Sequence, residues 1–445
     1  MKVSKYAALL VLAICSGCAS FGQARIPTAA PNRSPAFALG SRIKHVIIIV
    51  QENRTFDNIF DGFPGARSST TGLTSSGKRI ALRPIGFQQS DINHDWRASI
   101  TSWDRGKMDG FDKNALDTGA PAGTFPYAYL ARSFVTPYWT MARQYTLADR
   151  FFPTMFGGSF TAHLDLIAGT ADLSPTVSEV DYPTGQPWGC DAPGGTMTFT
   201  LSGRKAAVAG SGPFPCFTQF RTMADTLDAA GVTWKYYAPA VTSGDIGGSL
   251  WTEFDAIKNV RYGADWNANF PPPTAVLADA KAGSLPNVAW VIPDFLDSDH
   301  AASDTGPSWV AAVVNAIGQG PQWKSTAIVV VWDDWGGWYD DAAPPQKDFR
   351  GLGIRVPAIL ISPYSKRGVS HTQYEFGSIL KFIERAFDLP TLGPAAAGYT
   401  DGRATSLIDS FDFAQTPITF VKIPAKYPSS YFLQRHPSLL PPDDD

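Results

Sequence analysis

Two adjacent carboxylates, Asp333 and Asp334, stand where a run of apolar, β-branched residues ends. That run, residues 327–331, is typical of a strand buried on both faces of a parallel sheet. Neighbouring carboxylates at the end of a buried strand repel each other when ionised and so raise each other's pKa. A bound divalent cation removes the cost of this repulsion. Gly336 and Gly337 let the backbone turn sharply beside a ligand. The pattern predicts a metal site, and the competing interpretation is an acidic surface turn.

A second polar pair, Glu52 and Asn53, follows another buried-strand pattern at residues 45–50. In open α/β sheets, ligands bind at the carboxyl ends of the strands. We therefore expect Glu52 to act as a metal ligand and Asn53 to donate hydrogen bonds to an anion. The alternative for Glu52 is a residue in the first turn of a helix, which is the commoner role for a lone glutamate in this position.

Ser159 follows Gly157 and Gly158 and opens a predicted helix that stops near Gly169. The amino end of a helix offers free N–H groups and a partial positive charge, which suit a nucleophile that attacks a phosphate. The alternative is that Ser159 only caps the helix, the usual task of serine at such a position.

Carboxylates and a hydroxyl together are hard oxygen ligands of a divalent cation. A metal-bound serine loses its proton near neutral pH, and His300, which follows a predicted strand at 287–292, would hold the group under attack. This combination suits phosphoryl or sulfuryl transfer. A Ser-His-Asp hydrolase competes, but residues 157–161 lack the glycine two places after the serine. His94 lies in a loop, where a lone histidine is more often structural than catalytic.

Strand and helix patterns alternate through most of the chain, which predicts an α/β fold with a parallel sheet and helices on both faces. The segment 134–150 is predicted as a helix and 378–387 as another. Further strands are predicted at residues 232–237 and 356–361. Length would allow more than one domain, and we expect a single catalytic domain at residues 43–430.

The first twenty residues have the features of an export signal, with Lys2 and Lys5 before a short apolar core. Ser16 and Gly17 precede Cys18 as at a lipoprotein cleavage site, so lipidation of Cys18 and simple cleavage both stay open. Residues 21–42 are predicted to be a linker, and residues 431–445 a tail. The mature protein would be exported to the periplasm, anchored by lipid to the outer membrane, or secreted.

Two internal cysteines, Cys190 and Cys216, are predicted to form a disulfide in an oxidising compartment, with two buried free thiols as the alternative. The 37 basic residues nearly balance the 40 acidic ones. Because no basic stripe appears along the chain, nucleic acid is not expected as a partner.

With these residues in place, the chain resembles the bacterial phosphoesterase family of phosphatidylcholine-type phospholipases C and acid phosphatases, within the alkaline phosphatase-like superfamily. The resemblance runs from about residue 44 to residue 389. It rests on matching blocks in the family's order, at residues 52–57 (ENRTFD), 93–96 (NHDW), 106–111 (GKMDGF), 298–300 (SDH) and 333–340 (DDWGGWYD).

The resemblance implies an alkaline phosphatase/sulfatase-like α/β fold, with a central, mostly parallel sheet and helices on both faces. It also implies a divalent metal ion of unknown identity, held by Glu52, Asn53, Ser159, Asp333 and Asp334. Ser159 would be the nucleophile and His300 the acid for the leaving group. The residues implied to contact phosphate are Asn53, His94 and His300.

Two further histidines are candidates. His163 lies in the block after Ser159 that lines the substrate site, and His371 matches a family motif, although packing at a helix start explains it equally well. The family's phospholipases have His-Pro-Asn-Arg after the nucleophile, whereas residues 160–163 are Phe-Thr-Ala-His. The larger phospholipases also carry additional C-terminal domains, which we do not expect here. Both departures favour a smaller phosphatase-like or phosphodiesterase-like member.

We therefore expect an exported, metal-dependent phosphoric ester hydrolase that passes through a phosphoserine and acts on a phosphomonoester or a phospholipid head group. A second hypothesis is a non-catalytic surface lipoprotein that keeps the fold as a binding module. A sulfatase is disfavoured, because residues 159–163 contain neither the proline nor the arginine of the sulfatase motif.

Overall fold

Apolar runs form the central strands of an eight-stranded sheet, as the sequence predicts. The computed structural model describes residues 35–438, apart from 204, 209, 211, 242–249 and 301–302. The predicted export signal and Cys18 lie outside these residues. In chain order, the strands of the sheet are β1 His45–Gln51, β2 Thr146–Phe152, β3 Trp234–Tyr237, β4 Val288–Val291, β5 Thr326–Trp332, β6 Val356–Ile361, β7 Gly368–Ser370 and β8 Tyr374–Glu375.

The strands are ordered β3-β4-β1-β5-β6-β2-β7, and β8 also pairs with β2. Most pairs are parallel, and β6 runs antiparallel to both of its neighbours. Every residue of β5 is buried, so both faces of the sheet are covered at its centre. The predicted α/β class with a mostly parallel sheet is therefore confirmed.

Helices connect the strands and cover the sheet. None of those in the described ranges is both long and apolar enough to cross a lipid bilayer. They are α1 Pro35–Arg42, α2 Phe56–Phe60, α3 Trp96–Trp103, α4 Thr136–Gln144, α5 Ser159–Ala168, α6 Met223–Ala229, α7 Lys258–Arg261, α8 Asp265–Asn269, α9 Ala275–Ala282, α10 Gly306–Gln319, α11 Phe376–Phe387 and α12 Ser429–Gln434.

Short strands outside the central sheet form three small sheets. The largest of these has four strands and lies in the chain after α5. Their bounds are Thr71–Leu73, Arg79–Ala81, Arg83–Ile85, Ala128–Leu130, Asp172–Ser174, Val177–Val180, Phe199–Ser202 and Lys205–Val208.

The predicted helix at 134–150 is wrong in its second half. Helix α4 ends at Gln144, and the following residues form β2. Five of the seven β2 side chains flanking Asp149 and Arg150 are apolar or β-branched, and they are needed to fill the sheet between β6 and β7. Sheet pairing therefore overrides a helical pattern that appears continuous in sequence.

Both predicted chain extensions are shorter than expected. Residues 35–42 of the predicted linker form α1, because Leu39 and Ile43 are fully buried and the helix packs against α11. In the predicted tail, Phe432 is buried and Arg435 forms an ion pair with Asp294 at 3.1 Å. The rest of the tail, residues 439–445, lies outside the described residues.

The predicted disulfide is confirmed. Cys190 and Cys216 are bonded, with their Cα atoms 4.5 Å apart. The bond closes a segment between α5 and α6 that contains the paired strands Phe199–Ser202 and Lys205–Val208.

Candidate active site

Parallel pairing of β1 with β5 brings the two predicted motifs together. Gln51 lies in register with Trp332 at the ends of these strands. The next residues, Glu52 and Asp333, therefore leave the sheet side by side, and the Asp333 amide donates to Gln51 O at 2.9 Å. The carboxyl ends of adjacent parallel strands thus deliver the carboxylates to one place, as the sequence predicts.

The turn after β1 is held by a hydrogen bond to Asp333. Asn53 adopts a left-handed conformation at φ 61°, and its backbone N–H donates to Asp333 Oδ1 at 3.0 Å. Gly336 approaches this turn so closely that a Cβ on it would lie 2.2 Å from Asn53 O. Glycine is therefore required there, because any side chain would push the two motifs apart.

Ser159 is the first residue of α5, and the N-cap is Gly158. The Ser159 hydroxyl does not cap the helix but donates to Asp334 Oδ2 at 3.3 Å. Asp334 Oδ1 in turn accepts the Gly336 amide at 2.8 Å. The interpretation of Ser159 as only a helix cap is therefore wrong, and its hydroxyl faces the carboxylates.

The three carboxylates of this site, Glu52, Asp333 and Asp334, are almost completely buried. Burial, opposed in part by the neighbouring Asp333 carboxyl, raises the pKa of Glu52 to about 8. Burial and then the charge of Glu52 raise that of Asp333 to about 8. Burial and then the charge of Asp333 raise the pKa of Asp334 to about 8. The site thus concentrates acid groups that resist ionisation without a counter-ion.

A divalent cation fits these residues. Within the described part of the chain, no lysine or arginine forms an ion pair with any of the three carboxylates. Buried oxygens of Glu52 (Oε1), Asn53 (Oδ1) and Asp333 (Oδ2) have no hydrogen-bond partner among the described residues. Unpaired buried oxygens of this kind are costly, and a metal ion satisfies them.

His94 is brought to the site by its contact with Asn53. Its Nε2 lies 3.0 Å from Asn53 Nδ2, and its Nδ1 lies 2.8 Å from Ile92 O. Because Ile92 O only accepts, we assign the proton to Nδ1, so that Nε2 accepts from the amide of Asn53. Asn53 and His94, which were both predicted to contact phosphate, are therefore adjacent, and Asn53 Oδ1 has no hydrogen-bond partner among the described residues.

His300 lies across from His94, with ring centroids 6.2 Å apart. Its Nε2 is 3.2 Å from Asp91 Oδ2. Burial, and then the neighbouring His94, lower the pKa of His300 to about 3, so the ring is neutral in the free protein. Asp91 was missed by sequence reasoning, although its position three residues before His94 is a usable signal.

The two remaining histidines have different locations. His163 is buried, with Nε2 at 3.2 Å from Glu52 Oε1 and 3.9 Å from Asp333 Oδ2. Burial lowers its pKa, although Asp333 and Asp334 oppose this. His371 is 46% exposed and pairs with Asp149 on β2 at 2.7 Å. Its described contacts include no residue of the carboxylate cluster, so packing near the start of α11 explains His371 better than a role in the site.

A second carboxylate group is built from the far ends of the same two motifs. Arg355 is buried and pairs through Nε with Asp340 at 2.9 Å and through Nη2 with Asp57 at 3.2 Å. The same guanidinium reaches Asp341 at 3.0 Å. Sequence reasoning assigned no role to Arg355, because nothing in its local sequence signals a partner nearly three hundred residues away.

Comparison with known proteins identifies the family of the chain. The chain matches the Phosphoesterase family over residues 43–390. Phospholipase C A of Mycobacterium tuberculosis is 25% identical over 459 residues, covering 87% of this chain and 82% of that protein. Hemolytic phospholipase C of Pseudomonas aeruginosa is 25% identical over 409 residues, covering 78% of this chain and 53% of that protein.

A solved structure of a protein in the alkaline phosphatase superfamily from Vibrio parahaemolyticus is also similar, with a TM-score of 0.37 and 10% identity. The match covers 78% of this chain and 66% of that one. The family match and the phospholipase relatives define an enzyme that hydrolyses phosphoric ester bonds. The chain belongs to the Phosphoesterase family, as its motifs predict.

Proposed function

We propose that this protein hydrolyses phosphate esters through Ser159, with Glu52, Asn53, Asp333, Asp334 and Ser159 holding a divalent metal ion. The observation that carries the proposal is the contact between the Ser159 hydroxyl and Asp334 Oδ2 at 3.3 Å. It joins a nucleophile at a helix amino end to a buried carboxylate cluster that has no lysine or arginine partner in the described residues. A bound divalent cation would lower the pKa of the serine hydroxyl and neutralise charge on the phosphate.

In the first step, Ser159 Oγ attacks phosphorus in line with the leaving alcohol. The bond from Oγ to phosphorus forms as the bond from phosphorus to the alcohol oxygen breaks. The proton of the serine hydroxyl is released to water, and the alcohol takes a proton from His300 or from water. The neutral His300 of the free protein becomes a proton carrier when a phosphate binds, because nearby negative charge raises the pKa of an imidazole.

In the second step, water attacks the phosphorus of phosphoserine. The bond to Ser159 Oγ breaks, the serine regains its proton, and the phosphate group is released. Asn53 donates through its backbone N–H to Asp333 at 3.0 Å, and its side-chain amide contacts His94 at 3.0 Å. Asn53 and His94 would orient the phosphate oxygens in both steps, so that most of the catalysis is positioning and charge stabilisation.

The proposed substrate is a phosphomonoester or the phosphodiester of a phospholipid head group. The phospholipase C relatives favour the diester. The block after Ser159 favours the monoester, because it is Phe-Thr-Ala-His here and His-Pro-Asn-Arg in the family's phospholipases. We also propose that the chain is exported and that Cys18 is the residue that would carry a lipid anchor.

Hydrolysis of p-nitrophenyl phosphate and of p-nitrophenyl phosphorylcholine tests the proposal. Wild type and Ser159→Ala are compared, with Ser308→Ala as the matched control. Ser308 is another buried serine in the first turn of a helix, α10. We expect Ser159→Ala to lose at least about a thousandfold in rate and Ser308→Ala to retain it.

Cleavage of only the first ester defines a phosphatase, and cleavage of the second defines a phospholipase C-like enzyme. Wild-type turnover by Ser159→Ala would overturn the proposed nucleophile. Hydrolysis of neither ester by the metal-loaded wild type would count against the proposed substrate class.

A further inference from the structure

We infer that His163 is a direct ligand of the metal ion, so that the site is a mixed nitrogen and oxygen site. This inference rests on the proposed metal-dependent function and assigns one further residue to it. His163 lies four residues after Ser159 on α5. Residues with this spacing share one face of a helix, so the nucleophile and the imidazole are presented to the same carboxylates.

The distances around His163 fit a shared ion better than a direct hydrogen bond. Nε2 lies 3.2 Å from Glu52 Oε1, 3.4 Å from Glu52 Oε2 and 3.9 Å from Asp333 Oδ2. Bonds of about 2.0–2.2 Å from a metal to nitrogen and oxygen place neighbouring ligand atoms about 3.0–3.6 Å apart. An N–H···O hydrogen bond is usually shorter than these contacts, at about 2.9–3.0 Å.

Two of the carboxylate oxygens that face His163 Nε2 are left without partners in the described part of the chain, and Nε2 itself has only a long hydrogen bond of 3.4 Å with Glu52 Oε2. Glu52 Oε1 and Asp333 Oδ2 have no hydrogen-bond partner among the described residues. The His163 side chain is only 1% exposed, so water does not readily satisfy it. Ligand atoms of Glu52, His163 and Asp333 all lie within 4.8 Å of one another. An ion among them would satisfy a nitrogen and two oxygens at once.

A nitrogen ligand changes which metal the site prefers. Sites made only of carboxylate, carbonyl and water oxygens suit magnesium and calcium, whereas imidazole suits zinc, iron, nickel and copper. With His163 as a ligand, the site would select a first-row transition metal or zinc over magnesium and calcium.

Pulsed electron paramagnetic resonance on the full chain loaded with Cu²⁺ tests the inference without any measurement of activity. A bound imidazole nitrogen couples to the copper electron spin, and labelling with ¹⁵N-histidine changes that coupling. We expect the coupling in wild type and its loss in His163→Gln, which keeps much of the side-chain volume. His371→Gln, at a histidine outside the cluster, should keep the coupling.

Competition between Zn²⁺ and Mg²⁺, compared between wild type and His163→Gln, gives a second readout. We expect zinc to bind at least about tenfold more tightly than magnesium, and His163→Gln to weaken zinc at least about tenfold. Should His163→Gln not fold, His163→Asn is the second replacement, and the ¹⁵N-histidine coupling of the wild-type chain still decides whether a histidine binds the ion.

Different results would overturn the inference about His163 and the proposed function. A wild-type chain that binds a stoichiometric ion without histidine coupling, or one whose coupling persists in His163→Gln, overturns the inference and leaves the proposed function intact. Equal affinity for zinc and magnesium also overturns it. A wild-type chain that binds no divalent ion at saturation overturns both.

Discussion

Two groups of three carboxylates lie at opposite ends of the same pair of motifs, and they are neutralised differently. One group is Glu52, Asp333 and Asp334. The other is Asp57, Asp340 and Asp341, which surround the buried Arg355. Burial raises the pKa of Asp333 to about 8 but that of Asp340 only to about 6, because Arg355 opposes the shift.

The difference separates a group with its own counter-ion from the group that we propose binds a metal ion. Burial alone would lower the pKa of Arg355, but Asp340, Asp57 and Asp341 together raise it, which fixes the guanidinium as a permanent counter-ion. The first group has no such residue among the described part of the chain. In the second group, the buried Arg355 neutralises the carboxylates and connects the two motifs rigidly. In the first group, the carboxylates can instead be neutralised by an exchangeable metal ion.

The largest expected effect comes from removing the metal. Dialysis against a chelator should lower ester hydrolysis at least about a thousandfold, because the ion and the nucleophile act as one unit. Rates before and after chelation, and after a divalent cation is restored, give the measurement. The circular dichroism spectrum should not change, since Arg355 holds the motifs without the ion. Full activity in the chelated protein would remove the distinction between the two groups.

The next largest effect comes from removing the arginine that neutralises Asp57, Asp340 and Asp341. Arg355→Met leaves two buried carboxylates without a counter-ion and should lower the free energy of unfolding by about 3–5 kcal/mol. Urea denaturation measures it, with the exposed Arg79→Met as the control for loss of an arginine. If the Arg355 variant is as stable as the control, the guanidinium is not the counter-ion that the comparison requires.

Glu179 provides a reference for a buried carboxylate outside both groups. Burial raises its pKa from 4.5 to about 8. Because the folded pKa lies above the unfolded one, its contribution to stability falls as pH rises through this window. Glu179→Gln should remove that decline, so that its stability rises over that of wild type by about 1.4 kcal/mol for each pH unit between pH 4.5 and pH 8.

Denaturation of both proteins at several pH values checks this expectation. Parallel stability curves for wild type and Glu179→Gln across the window would show that burial without a counter-ion costs little at this position.

The smallest effect is expected at Asp341, whose side chain is 40% exposed although it contacts Arg355 at 3.0 Å. Asp341→Asn should change the free energy of unfolding by less than about 1 kcal/mol, because exposed ion pairs contribute little. Thermal denaturation measures it. A loss of unfolding free energy as large as that of Arg355→Met would mean that the group around Arg355 needs all three carboxylates for its stability.

Local sequence was enough to find most of the site. Glu52 and Asp333 follow apolar strand runs, and parallel register then places them together without further information. The antiparallel direction of β6 and the strand character of β2 depend on pairing with distant segments, so local pattern did not show them. Arg355 and Asp57 are 298 residues apart in the chain, which is why their pairing was not predicted.

The histidines show the same limit. His94 and His300 were identified through motifs, but the Asp91 partner of His300 appears only when separate loops are folded together. His371 matched a motif, yet its ring pairs with Asp149 on β2. Residue type and spacing therefore located the carboxylates, while the partners of the histidines depend on tertiary contacts.

The metal content of purified wild type, Asp333→Asn and Asp341→Asn tests the central claim most directly. The account predicts a stoichiometric divalent ion in wild type and in Asp341→Asn, and its loss from Asp333→Asn. Retention of the ion by Asp333→Asn, or a wild-type chain that takes up no divalent ion at saturation, would contradict the assignment of Glu52, Asp333 and Asp334 as the metal site.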